Sequence, residues 1–102
     1  MSVHTFKSAL AERREQLGLT SLRDTANFLN DHRTSDEPGH TTRYSVRDWM
    51  TRGRMPGAAV RPVLARALCI PLETIHLMAA GVPCEIPPMP DEDELLGGSH
   101  AE

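Results

Sequence analysis

Basic and hydrogen-bonding side chains are concentrated between residues 43 and 56, in the stretch RYSVRDWMTRGRMP. Guanidinium groups bind phosphate oxygens and make paired hydrogen bonds with the O6 and N7 atoms of guanine. Hydroxyl groups both donate and accept, so they suit base edges and backbone phosphates. The polar members of the stretch, apart from its one acid, are Arg43, Tyr44, Ser45, Arg47, Thr51, Arg52 and Arg54. This combination is typical of a surface that binds duplex nucleic acid.

The same stretch contains the signals of a short helix that would hold these side chains on one face. Ser45 is the expected N-cap, because its hydroxyl can accept from the free backbone N–H groups of a helix that begins at Val46. Gly53 then supplies a left-handed residue, and Pro56 prevents the helix from resuming. The apolar positions at i, i+3 and i+4 are Val46, Trp49 and Met50. The sequence therefore predicts a helix over 46–52 that these three residues seat on a core.

Each polar side chain of this region has an expected role on DNA. Arg47 lies opposite the apolar stripe and is the main candidate for contacting guanine. The alternative is an arginine that is only solvated, or one that pairs with Asp48 or Asp31. Base contacts are expected from Arg47, Ser45, Tyr44 and Thr51. Phosphate contacts are expected from Arg43, Arg52, Arg54, Thr42, Ser21 and Arg33.

The net charge of −3 conceals a segregation of the two signs. Residues 82–102 contain six acids and no Lys or Arg, whereas residues 1–81 contain 11 basic and 8 acidic residues. Local charge decides whether a surface attracts phosphate, so the first segment is suited to DNA. Three interpretations of the acidic segment stay open: a solvated terminus, a site for a protein partner, or a segment that competes with DNA for the basic surface.

Apolar periodicity predicts an all-α fold with five helices. We expect residues 1–81 to form one domain and residues 82–102 to form a Pro-rich acidic tail, extended or weakly docked. An exposed loop over 32–43 should separate the second helix from the third, since it has no apolar periodicity and contains Pro38-Gly39. The other four helices are expected over 5–17, 22–30, 58–68 and 71–79. The first of them should be capped by Thr5 and stopped by Gly18, and the second should be capped by Thr20 or Ser21.

Several classes of function are disfavoured. No run approaches the ~18 apolar residues of a membrane span, and no signal peptide is evident, which predicts a cytoplasmic protein. Cys69 and Cys84 are expected to be reduced thiols, although a disulfide between them stays open. His32 and His40 lack metal-ligand spacing, and no nucleophile has a positioned base. We therefore expect that the protein binds no metal and no cofactor and that it is not an enzyme.

Three segments resemble the Cro/cI-like (XRE) helix-turn-helix family. LAERREQLGLTSLRDTANFL at 10–29 is similar to its first two helices, VRDWMTRGRMP at 46–56 to its recognition helix, and LARALCIPLETI at 64–75 to its closing segment. Cys69 stands where glycine is usual, and Met50 where glutamate is common. The loop before the third helix replaces a tight turn of about four residues.

The resemblance implies sequence-specific binding to a double-stranded DNA operator, commonly as a homodimer on a two-fold site. It implies a transcriptional regulator, with a repressor of phage-immunity type that occludes a promoter as the main hypothesis. The alternative is an antitoxin or adaptor whose C-terminal tail binds a protein partner. Whether the protein is a monomer or a dimer, and whether it represses or activates, stays open.

Overall fold

Five α-helices make up most of residues 3–38 and 40–90, the part of the chain that the computed structural model describes. They are α1 (Phe6–Leu17), α2 (Leu22–Asp31), α3 (Arg43–Thr51), α4 (Arg61–Leu68) and α5 (Leu72–Ala79). Within these residues there is no strand, only an antiparallel bridge between His4 and Cys84. The expectation of an all-helical fold with five helices is confirmed.

The first two helices begin and end where local chemistry predicts. The hydroxyl of Thr5 accepts from the backbone N–H of Ser8 at the start of α1. Gly18 follows α1 in the left-handed conformation, with φ 72°. The hydroxyl of Ser21, rather than that of Thr20, caps α2 by accepting from the N–H of Asp24 at 2.9 Å. A short polar side chain before each helix and glycine after α1 therefore set these boundaries.

The prediction that Ser45 caps the third helix is wrong. Thr42 is the N-cap, and its hydroxyl accepts from the N–H of Ser45 at 3.2 Å. The loop accordingly ends at Thr42, and Arg43 and Tyr44 lie in the first turn of α3. Two hydroxyl residues stand three positions apart, and local sequence alone does not decide which one caps.

The fourth helix begins three residues later than expected, at Arg61. Residues 58–60 form a turn, in which the N–H of Val60 donates to the carbonyl of Gly57 at 3.2 Å. Pro62 lies in the first turn of α4, where its missing N–H breaks no helical hydrogen bond. The later start therefore places the proline at the second position of the helix.

The core lies where α1, α4 and α5 meet the buried sides of α2 and α3. Trp49 is only 6% exposed, and its ring meets that of Phe6 edge to face with 5.8 Å between centroids. Val46 is fully buried, whereas Met50 is half-buried and packs at the margin of the core. The other buried apolar side chains include Leu10, Leu29, Leu64, Leu68, Ile75 and Met78. This packing leaves the opposite face of α3 in solvent.

Residues 82–90 lie in extended form against the helices. His4 and Cys84 exchange two backbone hydrogen bonds of 2.7 and 2.9 Å. The guanidinium of Arg13, which is 0% exposed, donates to the backbone oxygens of Leu68 and Pro87 and to the side chain of Gln16. Burial lowers the pKa of Arg13 below its ordinary value. The first part of the predicted tail is thus docked, while the acids from Asp91 onward lie outside the described residues.

Candidate nucleic-acid interface

Arg43, Tyr44 and Arg47 form a stacked cluster on the exposed face of α3. The guanidinium carbons of Arg43 and Arg47 lie 5.1 and 5.4 Å from the centroid of the Tyr44 ring. Arg43 also donates from Nη2 to the Tyr44 hydroxyl at 3.1 Å. Tyr44 is 54% exposed, so the cluster projects into solvent. Cation–π contacts hold these long side chains in a defined arrangement before any ligand binds.

The electrostatics of the cluster follow from the same contacts. The hydrogen bond and the positive charge of Arg43 lower the pKa of Tyr44, and Arg47 adds to this effect. The same hydrogen bond raises the pKa of Arg43 above its ordinary value. The raised pKa of Arg43 favours its charged form, and the lowered pKa of Tyr44 reflects the positive charge of the arginines around its hydroxyl.

Asp48 is the only acid between residues 43 and 66, and it lies between two of the arginines. Its Oδ1 atom is 3.9 Å from Nε of Arg47 and 3.7 Å from Nε of Arg52. The side chains of Arg47 and Arg52 are 43% and 59% exposed, which makes these ion pairs weak. The Nε atom of Arg47 and the Oδ1 atom of Asp48 are themselves shielded from solvent and make no hydrogen bond within the described residues. Of the two alternative partners of Arg47 named above, Asp48 is therefore the one at hand.

The other two residues predicted to contact bases, Thr51 and Ser45, lie outside the stacked cluster. Thr51 is exposed at the end of α3, and its hydroxyl donates to the carbonyl of Arg47 at 2.7 Å, which leaves it mainly an acceptor. Ser45 is half-buried on the flank of α3, beside Trp49 and the turn at 57–60. Of the predicted base-contacting set, Tyr44 in the first turn and Arg47 in the middle of α3 belong to the stacked cluster.

Arg52 and Arg54 extend the basic surface beyond the end of α3. Both side chains are exposed. Gly53, with φ 67°, reverses the chain between them, and the N–H of Arg54 donates back to the carbonyl of Asp48 at 3.2 Å. A glycine is needed here because other residues rarely adopt this conformation. The turn places both arginines next to the helix end, as phosphate contacts require.

The loop residues predicted to contact phosphate are held differently. Arg33 donates from Nη1 to the carbonyl of Glu37 at 2.6 Å, so its side chain is turned into the loop. Thr41 is 2% exposed and cannot present its side chain to DNA, whereas the exposed Thr42 acts as the cap. The exposed Ser21 caps α2. Arg33 is therefore a poor candidate for DNA contact.

Two arginines that contribute to the basic bias of residues 43–66 hold the backbone instead. Arg66 pairs with Glu37 and also donates to the carbonyl of His32 at 3.0 Å. Arg61 donates to the carbonyl of Pro56 at 3.1 Å. Sequence alone could not identify the role of these two arginines. Arg66 reaches the loop from another helix, and Arg61 bonds to a segment without regular structure.

A polar groove between α2 and α3 adjoins the Arg43–Tyr44–Arg47 cluster, and sequence reasoning missed two of its residues. Arg23 and Asn27 stand on α2 and face Arg43 and Tyr44 across this groove. The available signal was their i, i+4 spacing on a helix whose buried residues Thr25 and Leu29 lie on the other side. Arg23 and Asn27 therefore extend the candidate interface onto α2.

Possible metal ligands, cysteines and apolar helices complete the description of residues 3–38 and 40–90. No group of three or more His, Cys, Asp or Glu in residues 3–38 and 40–90 is placed to hold a metal ion. Cys69 and Cys84 are both free thiols. Among the described helices, none is long and apolar enough to cross a membrane. No family model, curated protein or solved structure matches the chain.

Proposed function

We propose that this protein is a sequence-specific regulator that binds double-stranded DNA, with α2 and α3 acting as a helix-turn-helix of Cro/cI type. The observation that carries the proposal is the two-sided character of α3. Val46 and Trp49 anchor one side in the core, and the other side presents the stacked Arg43, Tyr44 and Arg47 to solvent. A helix that is rigidly seated and basic on its exposed face is suited to insertion into DNA.

The dimensions of α3 suit a major groove. An α-helix with its side chains is about 10–12 Å across, and the major groove is about 12 Å wide. Arg47 near the middle of the exposed face would contact a guanine edge. Arg43, Arg52 and Arg54 lie towards the two ends, where the phosphate strands bordering the groove would pass. Binding across a promoter would exclude polymerase, which makes repression by occlusion the expected outcome.

Two charged contacts must rearrange when DNA binds. Arg47 and Arg52 would leave Asp48 for bases or phosphates, and Tyr44 would retain its stacking on at least one guanidinium. Since exposed ion pairs contribute roughly 0–1 kcal/mol, the exchange opposes binding only slightly. Homodimer formation on DNA and a protein partner for the acidic tail stay predictions.

The proposal is tested by titrating fluorescent duplexes at two salt concentrations. Five or six phosphate contacts should give a slope of roughly −5 for log affinity against log salt. Replacing the cluster in the variant R43A/Y44A/R47A should reduce both affinity and slope. Arg47→Lys is the matched control, because it keeps the positive charge but cannot make the paired hydrogen bonds of a guanidinium. A triple variant that binds as the wild type does would exclude α3 as the DNA-binding element.

A further inference from the structure

The side chain of Asn30, near the end of α2, holds the backbone of Thr41 at the far side of the loop. Asn30 Nδ2 donates to the carbonyl of Thr41 at 2.7 Å, and the Thr41 N–H donates to Asn30 Oδ1 at 2.8 Å. The amide thus pairs with both polar groups of one backbone residue, much as a neighbouring strand would. This clasp closes the loop between α2 and α3.

The clasp is directly continuous with the first turn of α3. Thr41 is 2% exposed, and the next residue, Thr42, caps the helix. The Thr42 hydroxyl accepts from the N–H of Ser45, and its carbonyl accepts from the N–H of Val46 at 3.2 Å. Because the cap residue directly follows Thr41, a change in backbone direction at Thr41 would change where α3 begins.

The loop has a second tether, but it acts elsewhere. Arg66 on α4 pairs with Glu37 in the middle of the loop, and Glu37 accepts from the N–H of Thr34. This arrangement fixes residues 34–37 against α4 and does not involve Thr41 or Thr42. Closing a loop and ordering a helix end both cost conformational entropy. The contact nearest the helix should therefore contribute most to the order of its first turn.

We infer that Asn30 is a positioning residue, which sets the first turn of α3 and thereby the placement of Arg43 and Tyr44. The inference rests on the proposed function in so far as that placement serves DNA binding. In this chain the amide of Asn30 would do what a tight turn does between two closely spaced helices: it fixes where α3 begins relative to α2.

The test compares Asn30→Ala with the wild type, free and bound to a duplex selected by the wild type. Asn30→Ala removes both hydrogen bonds to Thr41. We expect binding to weaken about tenfold, because the first turn of α3 would then have to be ordered when DNA binds. In NMR spectra of the free protein, amide shifts should change for residues 41–45 and stay unchanged in α4 and α5. Ser35→Ala, at an exposed loop position, is the matched control and should behave as the wild type.

A second variant keeps the inference testable if Asn30→Ala unfolds. Asn30→Asp preserves the shape and the acceptor for the Thr41 N–H but loses the donor, so the same amides should shift by less. The inference is overturned if a folded variant keeps wild-type amide shifts at 41–45 or wild-type affinity. It is also overturned if both variants lose cooperative melting, since Asn30 would then support the whole fold. If the wild type discriminates among no duplexes, the proposed function fails, and the NMR comparison of the free proteins still decides the role of Asn30.

Discussion

Arg47 is the side chain on which base discrimination should depend. It projects from the middle of the exposed face of α3, stacked on Tyr44 and only weakly paired with Asp48. Arg47→Ala should reduce the preference for a selected duplex over its single-base variants by about 1–3 kcal/mol at one or two positions. Competition binding with a panel of point-substituted duplexes measures this. Equal losses on selected and unrelated DNA would assign Arg47 to the phosphate backbone instead.

Arg52 provides the contrasting case at the end of the helix. Its side chain is exposed, pairs with Asp48 and lies beyond the last residue of α3, outside the stacking on Tyr44. Arg52→Ala should therefore weaken binding to all duplexes alike and make the salt slope shallower by about 1. The same panel of duplexes, measured at two salt concentrations, provides the check. A change in base preference would show that Arg52 lies in the groove.

Cys69 carries backbone strain that can be relieved. It ends α4 with φ 56°, in the left-handed region that glycine adopts without penalty. Cys69→Gly should raise the free energy of unfolding by about 1 kcal/mol, and Cys69→Ala, which keeps a Cβ atom, should not. Urea denaturation of the two variants measures the difference. Equal stabilities would mean that this conformation is not strained.

At the scale of elements, Arg13 fastens the extended segment 82–90 to the helices. Its buried guanidinium bonds to the backbone at Leu68 on one side and Pro87 on the other. Arg13→Met fills similar space but leaves these oxygens without their donor, so unfolding should require about 2–4 kcal/mol less free energy. Urea denaturation measures this loss of stability, and limited proteolysis near residues 82–90 should show that the segment is released from the helices. Wild-type stability together with a protected segment would contradict this role.

The loop should respond to acid through Glu37. Hydrogen bonds from Arg66 and from the backbone of Thr34 lower the pKa of Glu37 below its ordinary value. A carboxyl whose folded pKa is lowered adds stability above its unfolded pKa of about 4.3, and that contribution is lost as pH falls through the folded pKa. Glu37→Gln should remove this part of the acid sensitivity, as thermal melting between pH 3 and 7 would show. An unchanged pH profile would contradict a stabilising Glu37–Arg66 pair.

The elements that local patterns specify could be predicted, and those that tertiary contacts specify could not. Apolar spacing located all five helices, and Thr5, Ser21 and Gly18 marked their caps because capping is a short-range interaction. The start of α3 was misplaced because the backbone before it is fixed by Asn30, eleven positions away. The position of the Arg33 side chain could not be predicted either, since its hydrogen bond to the Glu37 carbonyl depends on how the loop folds.

At the scale of the whole molecule, the distribution of charge could be predicted more fully than the site. Four arginines remain on or beside α3, as the local excess of basic residues indicated: Arg43, Arg52 and Arg54 are exposed and Arg47 is partly exposed. The structural use of Arg61 and Arg66, and the approach of Arg23 and Asn27 to α3, depend on helix packing. A sequence pattern locates a basic helix, but only the fold shows which cations face outward.

We propose that the exposed face of α3 selects particular DNA sequences, and the experiment to make is selection of bound duplexes from a random pool by the full chain. We expect an enriched motif whose core contains at least one guanine, and Arg47→Ala should no longer enrich that position. A pool that stays random, with weak binding abolished by moderate salt, would show that α3 has no role in sequence recognition.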